Sequence, residues 1–360
     1  MSENVPIVSA SGTPLMPCKP SKARKLLAKN LAEKCWNRLG QFYLRLKFNP
    51  KSPNQGQHVC LAVDTGSRWD GIAVVTAKRV LTTAELVLPK GIAGKRKARI
   101  AGKLEMRRRM RRARRYRKTP RRAKRFNNRR RSEGWLAPSQ KAKVEFRIKI
   151  VDELRRLYPV DRFAVEDVRF DHYRKRWGKH FSTVEIGKTR FYEHLRSIGH
   201  LSLYAGAETA EWRKKLGLPK NFRKSALKWD AHASDAIAIG CAETGCTDPS
   251  PPEFWVWKRF QYARRQLHRY KLSGGGVRRR YGGSRSVYPF KKADVVVWRG
   301  QLARVGGYMD GRISLHAFTL KNKRVTQNAR RKDCTRLFNQ RIFGKRILSP
   351  TTEAVSLRGI

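Results

Sequence analysis

Between residues 105 and 131 the chain reads EMRRRMRRARRYRKTPRRAKRFNNRRR. The wider window 95–131 carries 21 basic residues and one acidic residue, Glu105. Such a stretch repels itself in water and cannot serve as core, so it must lie against a polyanion or stand in solvent. Residues 103–118 can form a helix about 24 Å long. Met106, Met110, Ala113 and Tyr116 would fall on one narrow side, where the helix can dock on protein, with arginine covering the rest. Thr119-Pro120 then breaks or bends it.

The remainder of the chain is basic too. Lysine and arginine number 83 against 27 acids, a net charge of +56 over 360 residues. Charge spread this widely points to wrapping of nucleic acid rather than to a basic tail on an otherwise ordinary enzyme. A membrane surface is the competing polyanion, but the sequence has no apolar run of about 18 residues and no lipidation motif, so a membrane partner is not expected. With 40% hydrophobic residues the chain can still bury a core. Its six cysteines form no C-x-x-C pair, which argues against a zinc ribbon or a disulfide framework and for reduced thiols. No secretory signal is visible in MSENVPIVSA, and a cytoplasmic setting, prokaryotic and nucleoid-associated when on DNA, is expected.

Five segments are expected. Residues 1–56 read as a small leading module, in which prolines 14, 17 and 20 forbid an early helix and Ser21 caps an amphipathic stretch from Lys22. Residues 57–94 read as a three-stranded meander, Val59–Val63, Gly71–Val75 and 84–88. The arginine-rich stretch fills 95–134. Over 135–250 a helix from Pro138 to Tyr158 carries Val144, Ile148, Val151 and Leu154 at helical spacing; a buried strand in 161–168, a strand at Leu201–Ala205 and a helix over Ala231–Glu243 follow. Residues 251–360 read as a separate β-rich module that opens on a basic, helix-like piece, Trp255–Tyr270, with strands near 294–298, 312–319 and 344–348. The fold class expected is a mixed α/β sheet split by the basic stretch.

Three acids sit at element ends: Asp64 in CLAVDTGS, Glu166 in FAVEDV and Asp235 in HASDA. Apolar flanks hold each on rigid structure, as a metal site demands. Hard oxygen ligands suit Mg²⁺, with Mn²⁺ as a substitute, and two such ions can activate water and stabilise the leaving oxygen in phosphodiester hydrolysis. Singly, an acid at such a strand end is more often a turn former or cap than a ligand. Asp167 is an immediate rival to Glu166, but strand alternation sends the two to opposite faces. Asp70 and Asp230 read as surface charges or caps, and His232 as a structural histidine.

Together, AVDTGS, AVEDV and HASDA resemble the three split motifs of RuvC-type nucleases with an RNase H-like fold. The arginine stretch lies where RNA-guided nucleases of that type carry a bridge helix. PLMP at 14–17 and the order of parts resemble the transposon-associated IsrB group, relatives of IscB. IscB inserts an HNH nuclease between the second and third motifs. Here 68 residues separate Glu166 from Asp235, with no zinc-type cysteine pair and too little length for a further domain.

The resemblance implies an RNA-guided nickase, a monomer in a ribonucleoprotein. It would take a structured guide RNA and a double-stranded target DNA, and its C-terminal module would read a short target-adjacent motif. Asp64, Glu166 and Asp235 would be the metal ligands, and His232 would orient or activate water. Arg107, Arg108, Arg109, Arg111, Arg112, Arg114, Arg115 and Arg117 would grip RNA phosphates. A guide-free junction resolvase shares the acids but has no need of the arginine helix. A non-catalytic RNA-binding protein explains the charge but not the acids.

Overall fold

The computed structural model describes residues 4–50, 57–89, 132–169, 184–223, 228–259 and 270–347, the last span without 272–275, 278–285, 288–289, 310, 320–322 and 340–341. The arginine stretch, with Arg107 to Arg117, lies outside the described residues.

The leading module is a four-stranded sheet: β1 (Val5–Val8), β2 (Pro14–Cys18), β3 (Ala32–Trp36) and β4 (Phe42–Leu46), in the order β2-β1-β4-β3. The PLMP residues form β2, an edge strand, where proline's missing N–H costs the ladder least. Ile7, Leu15, Leu44 and Leu46 close a small core under helix α1 (Pro20–Ala28). Ser21 does not cap that helix. Pro20 occupies its first turn, where its fixed φ suits helix entry, and Lys19 is the cap residue without a side-chain bond.

The central sheet has seven strands: β5 (Val59–Asp64), β6 (Trp69–Thr76), β7 (Val80–Val87), β8 (Arg162–Glu166), β9 (His200–Tyr204), β10 (Phe254–Arg259) and β20 (Ile342–Ile347). Their order is β20-β10-β7-β6-β5-β8-β9. β5, β6 and β7 form the expected antiparallel meander; β8 runs parallel to β5, β9 parallel to β8, and β10 parallel to β7. Both faces are covered, which explains why β5 reads VCLAV without polar alternation.

Leu61, Val63, Ile72, Val74, Phe163 and Val165 face one way, toward helix α2 (Pro138–Arg155) and helix α3 (Lys188–Arg196). Cys60, Ala62, Ala73, Val75 and Ala164 face the other way. The helix expected over Ala231–Glu243 covers that second face as two pieces, α5 (Trp229–His232) and α6 (Ser234–Thr244), after α4 (Gly206–Lys215). Gly240 lets α6 lie close: a Cβ there would be 2.7 Å from Val75 Cγ2 and 3.2 Å from Ala62 Cβ.

The C-terminal region differs from expectation at its start. Phe254–Arg259 is a strand of the central sheet, not a helix, since Phe254, Trp255, Val256 and Trp257 are all buried. β20 pairs with it, so the central sheet takes strands from both ends of residues 251–360. Between them come two hairpins, β11 (Tyr270–Lys271) with β12 (Gly276–Val277) and β13 (Ser286–Val287) with β14 (Phe290–Lys291). A five-stranded antiparallel sheet follows: β15 (Asp294–Trp298), β16 (Gln301–Met309), β17 (Arg312–Ala317), β18 (Arg324–Ala329) and β19 (Cys334–Asn339). Its order is β18-β17-β16-β15-β19, and its own core holds Val296, Val305, Ile313 and Leu315. The buried Arg304 guanidinium stacks 5.1 Å from Phe318 and 5.2 Å from Phe343 of β20, linking the two sheets.

Among the described residues no helix is long and apolar enough to cross a membrane. All six cysteines are unbridged.

Candidate active site

Parallel pairing of β5 with β8 sets Val63 beside Val165, so the next residues, Asp64 and Glu166, end adjacent strands side by side. Across the antiparallel pairs Asp64 stands opposite Gly71, and Gly71 opposite Glu85. Glu85, Asp64 and Glu166 therefore share one row and one face of the sheet, with a glycine in the gap. That glycine is required. A Cβ at Gly71 would overlap the His232 carbonyl oxygen, so only glycine lets α5 and the start of α6 rest on the strands here. Their descent delivers Asp235, in the first turn of α6, to the same charge cluster as Asp64 and Glu166.

The electrostatics record that crowding. The Asp64 carboxyl is pushed well above the usual carboxylate range, first by burial, then by the Glu166 charge and the hydrogen bond the two share, and then by Asp235 and Asp70. Acids crowded together in a buried place make an environment that a divalent cation can relieve.

Asp235 is held differently. It is buried, and its Oδ2 accepts a 2.8 Å bond from Lys220 Nζ while Oδ1 accepts one from the Arg213 guanidinium. Three hard carboxylates suit Mg²⁺ or Mn²⁺ as a donor set. In this arrangement, with both Asp235 oxygens on cationic side chains, no group of three His, Cys, Asp or Glu among the described residues is set to ligate a metal ion.

His232 lies next to this cluster in sequence and is buried, but its ring turns along β7. Nε2 is 3.6 Å from Glu85 Oε2, and the ring packs against Trp69 with centroids 5.6 Å apart. Sequence reasoning missed Glu85, whose signal was an acid inside the apolar strand AELVL.

Asp167 sits on the opposite face from Glu166, as alternation required. Burial pushes its carboxyl up, but hydrogen bonds from Lys188, Arg169 and Tyr192 outweigh this and bring it to about 2. Asp70 is not a surface charge: it is fully buried, and Arg147 of α2 grips it with two 2.8 Å bonds. Arg147 also reaches the Gly66 carbonyl, and the Gly66 N–H donates to Asp70, which closes the turn after β5. Asp230 is part-buried, and its carbonyl accepts a bond from the Asn221 N–H.

A family model described as RRXRR protein matches residues 5–186, just over half of the chain. The chain belongs to the RRXRR family. The matched span contains RRMRR at 108–112 and RRARR at 111–115, two overlapping instances of the pattern in the family's name. Among solved structures, RuvC of Thermus thermophilus is similar over 52% of this chain and 96% of its own, at 14% identity and a TM-score of 0.26. No curated protein matches the sequence.

Proposed function

We propose that this RRXRR-family chain is an RNA-guided DNA nickase of the IsrB type, working as a monomer within a ribonucleoprotein. The observation that carries the reading is the pair Asp64 and Glu166 at the ends of adjacent parallel strands, with Asp235 brought to them over Gly71. A mixed sheet, with parallel strands added beside the first strand of an antiparallel meander, is consistent with the mixed α/β fold that the resemblance implies. Family membership adds support, since RRXRR proteins are associated with IscB-like proteins.

Asp64, Glu166 and Asp235 would hold a divalent cation, Mg²⁺ or Mn²⁺, whose chemistry there is to activate water and stabilise the leaving oxygen of a phosphodiester. The chain's own part is positioning. Strand ends fix two carboxylates, the first turn of α6 fixes the third, and the surplus of positive charge draws nucleic acid toward a negatively charged centre. Glu85 would orient His232 beside this centre rather than leave it to swing. Arg107 to Arg117 would clasp the guide RNA, and the C-terminal sheet would read duplex DNA next to the target.

Between Glu166 and Asp235 the described residues are taken up by α3, β9, α4 and α5, elements that pack on the central sheet. A single catalytic centre then cuts one strand. Guide pairing keeps the target strand in the heteroduplex, so the displaced strand is the one cut. The test is to purify the protein with its RNA, sequence that RNA, and supply Mg²⁺ and a matched duplex labelled separately on each strand. The expected result is one discrete structured RNA with a variable end and cleavage of the non-target strand alone, abolished by Asp64→Ala, Glu166→Ala or Asp235→Ala. Mixed RNA overturns the guide reading, and equal cutting of both strands, or cutting without a guide, overturns it in favour of a dimeric resolvase.

A further inference from the structure

We propose that Arg213 and Lys220 are the phosphate-holding residues of this centre, parked on Asp235 while no substrate is present and turned to the scissile phosphate when a divalent cation takes that carboxylate. The inference rests on the nuclease reading above and adds a recognition element to it.

Arg213 and Lys220 both bond Asp235, one to each oxygen, so two cationic side chains share one carboxylate. The Asp235 side chain is 8% exposed, whereas Arg213 is 15% and Lys220 30% exposed, so the cations reach the buried acid from the rim.

The two structural pairs on the other face are held differently. Arg147 has the Gly66 carbonyl as well as Asp70, and Lys188 has the Val168 carbonyl as well as Asp167. Arg213 and Lys220 make their side-chain hydrogen bonds, among the described residues, to Asp235 alone. Once that carboxylate is taken, no other side-chain hydrogen bond among the described residues keeps them.

Their backbones meanwhile stay put. Ser234 Oγ donates to the Pro219 carbonyl, and the Asn221 N–H donates to the Asp230 carbonyl at 3.0 Å, so Lys220 sits between two tethered neighbours. Arg213 is fixed in the last turn of α4. A fixed backbone carrying a cation with one exchangeable partner is what holding a phosphate ester requires, because the donors must be in place before the charge develops.

The experiment compares the full-length chain with Arg213→Gln, Lys220→Gln and the double variant. Mn²⁺ affinity is read by electron paramagnetic resonance without nucleic acid, and cleavage of the guide-matched duplex is then read at saturating Mn²⁺. Removing the resident cations should tighten Mn²⁺ binding, by about tenfold in the double variant, while the cleavage rate at saturation falls by at least about tenfold. Lys220→Arg should keep most of that rate.

Unchanged or weaker Mn²⁺ binding overturns the proposal, since the pairs would then be a structural clamp. Tighter binding with a wild-type rate also overturns it, since the cations would only compete with metal. Should the double variant fail to fold, Lys220→Gln, which keeps the Arg213 pair, decides by the same two readings. A wild-type chain that binds Mn²⁺ yet cuts no DNA sinks the nuclease reading and the phosphate role with it. The metal reading, taken without DNA, tells that failure apart.

Discussion

Asp64 and Asp70 lie six residues apart at one end of the same sheet, on opposite faces, and their surroundings are opposite as well. Asp70 has a guanidinium on both oxygens and a backbone N–H besides, so its charge is matched and its geometry closed. Asp64 has Glu166 beside it and Asp235 near it, and its carboxyl is driven up by burial and like charge. An acid that the fold has satisfied serves the fold. One that the fold has crowded stores unfavourable energy that a cation can release, the pattern expected of a working site.

The largest expected effect comes from breaking the satisfied side. Asp70→Ala leaves Arg147 buried without its partner and should cost about 3–5 kcal/mol in urea unfolding. A double Asp70→Ala/Arg147→Met variant should recover much of that, whereas no recovery would mean that the turn, not the charge pair, is what Asp70 secures. Next comes Gly71→Ala. Its methyl displaces the His232 carbonyl, lifting α5 and α6 from the strands, and should cost about 2–4 kcal/mol and abolish cleavage. A stable, active Gly71→Ala chain would deny that close helix contact builds the site.

The smallest effect belongs to Asp167, which shares the satisfied face. Its folded pKa lies below its unfolded one, so its contribution is complete above the unfolded value and fades as pH falls from about 4 toward 2. Asp167→Asn should remove about 1 kcal/mol of stability at neutral pH, after solvent screening, and flatten the acid limb of the stability curve in that window.

Much of this was written locally in the sequence. VCLAVD and RFAVE are apolar runs ending in an acid, and AIAIG has the small residues of a helix laid on a sheet, so the two strands, α6 and the three acids could be placed from short windows. What could not be read depends on distant partners. Asp70 reads as a surface charge because Arg147 is 77 residues away. The two cations on Asp235 come from 22 and 15 residues earlier in the chain, outside any local motif. The row of Glu85, Gly71 and Asp64 exists only once strand register is known. Over Trp255–Tyr270 the basic residues after Arg259 suggest a helix, whereas the apolar run FWVW before them belongs to a buried strand, Phe254–Arg259.

Thermal unfolding at pH 8, with and without Mg²⁺, shows whether the Asp64 face holds charge that a cation relieves. A raised carboxyl favours the fold fully below its unfolded pKa and loses that benefit as pH rises through the folded value, so the strain grows as pH rises above the ordinary carboxylate range. The wild-type chain should gain stability with Mg²⁺, about 2.7 kcal/mol at a hundredfold excess over the dissociation constant. Asp64→Asn should start more stable than wild type without Mg²⁺ and gain little on adding it. An equal Mg²⁺ gain in wild type and Asp64→Asn would mean that the cation acts elsewhere on the molecule and not at Asp64.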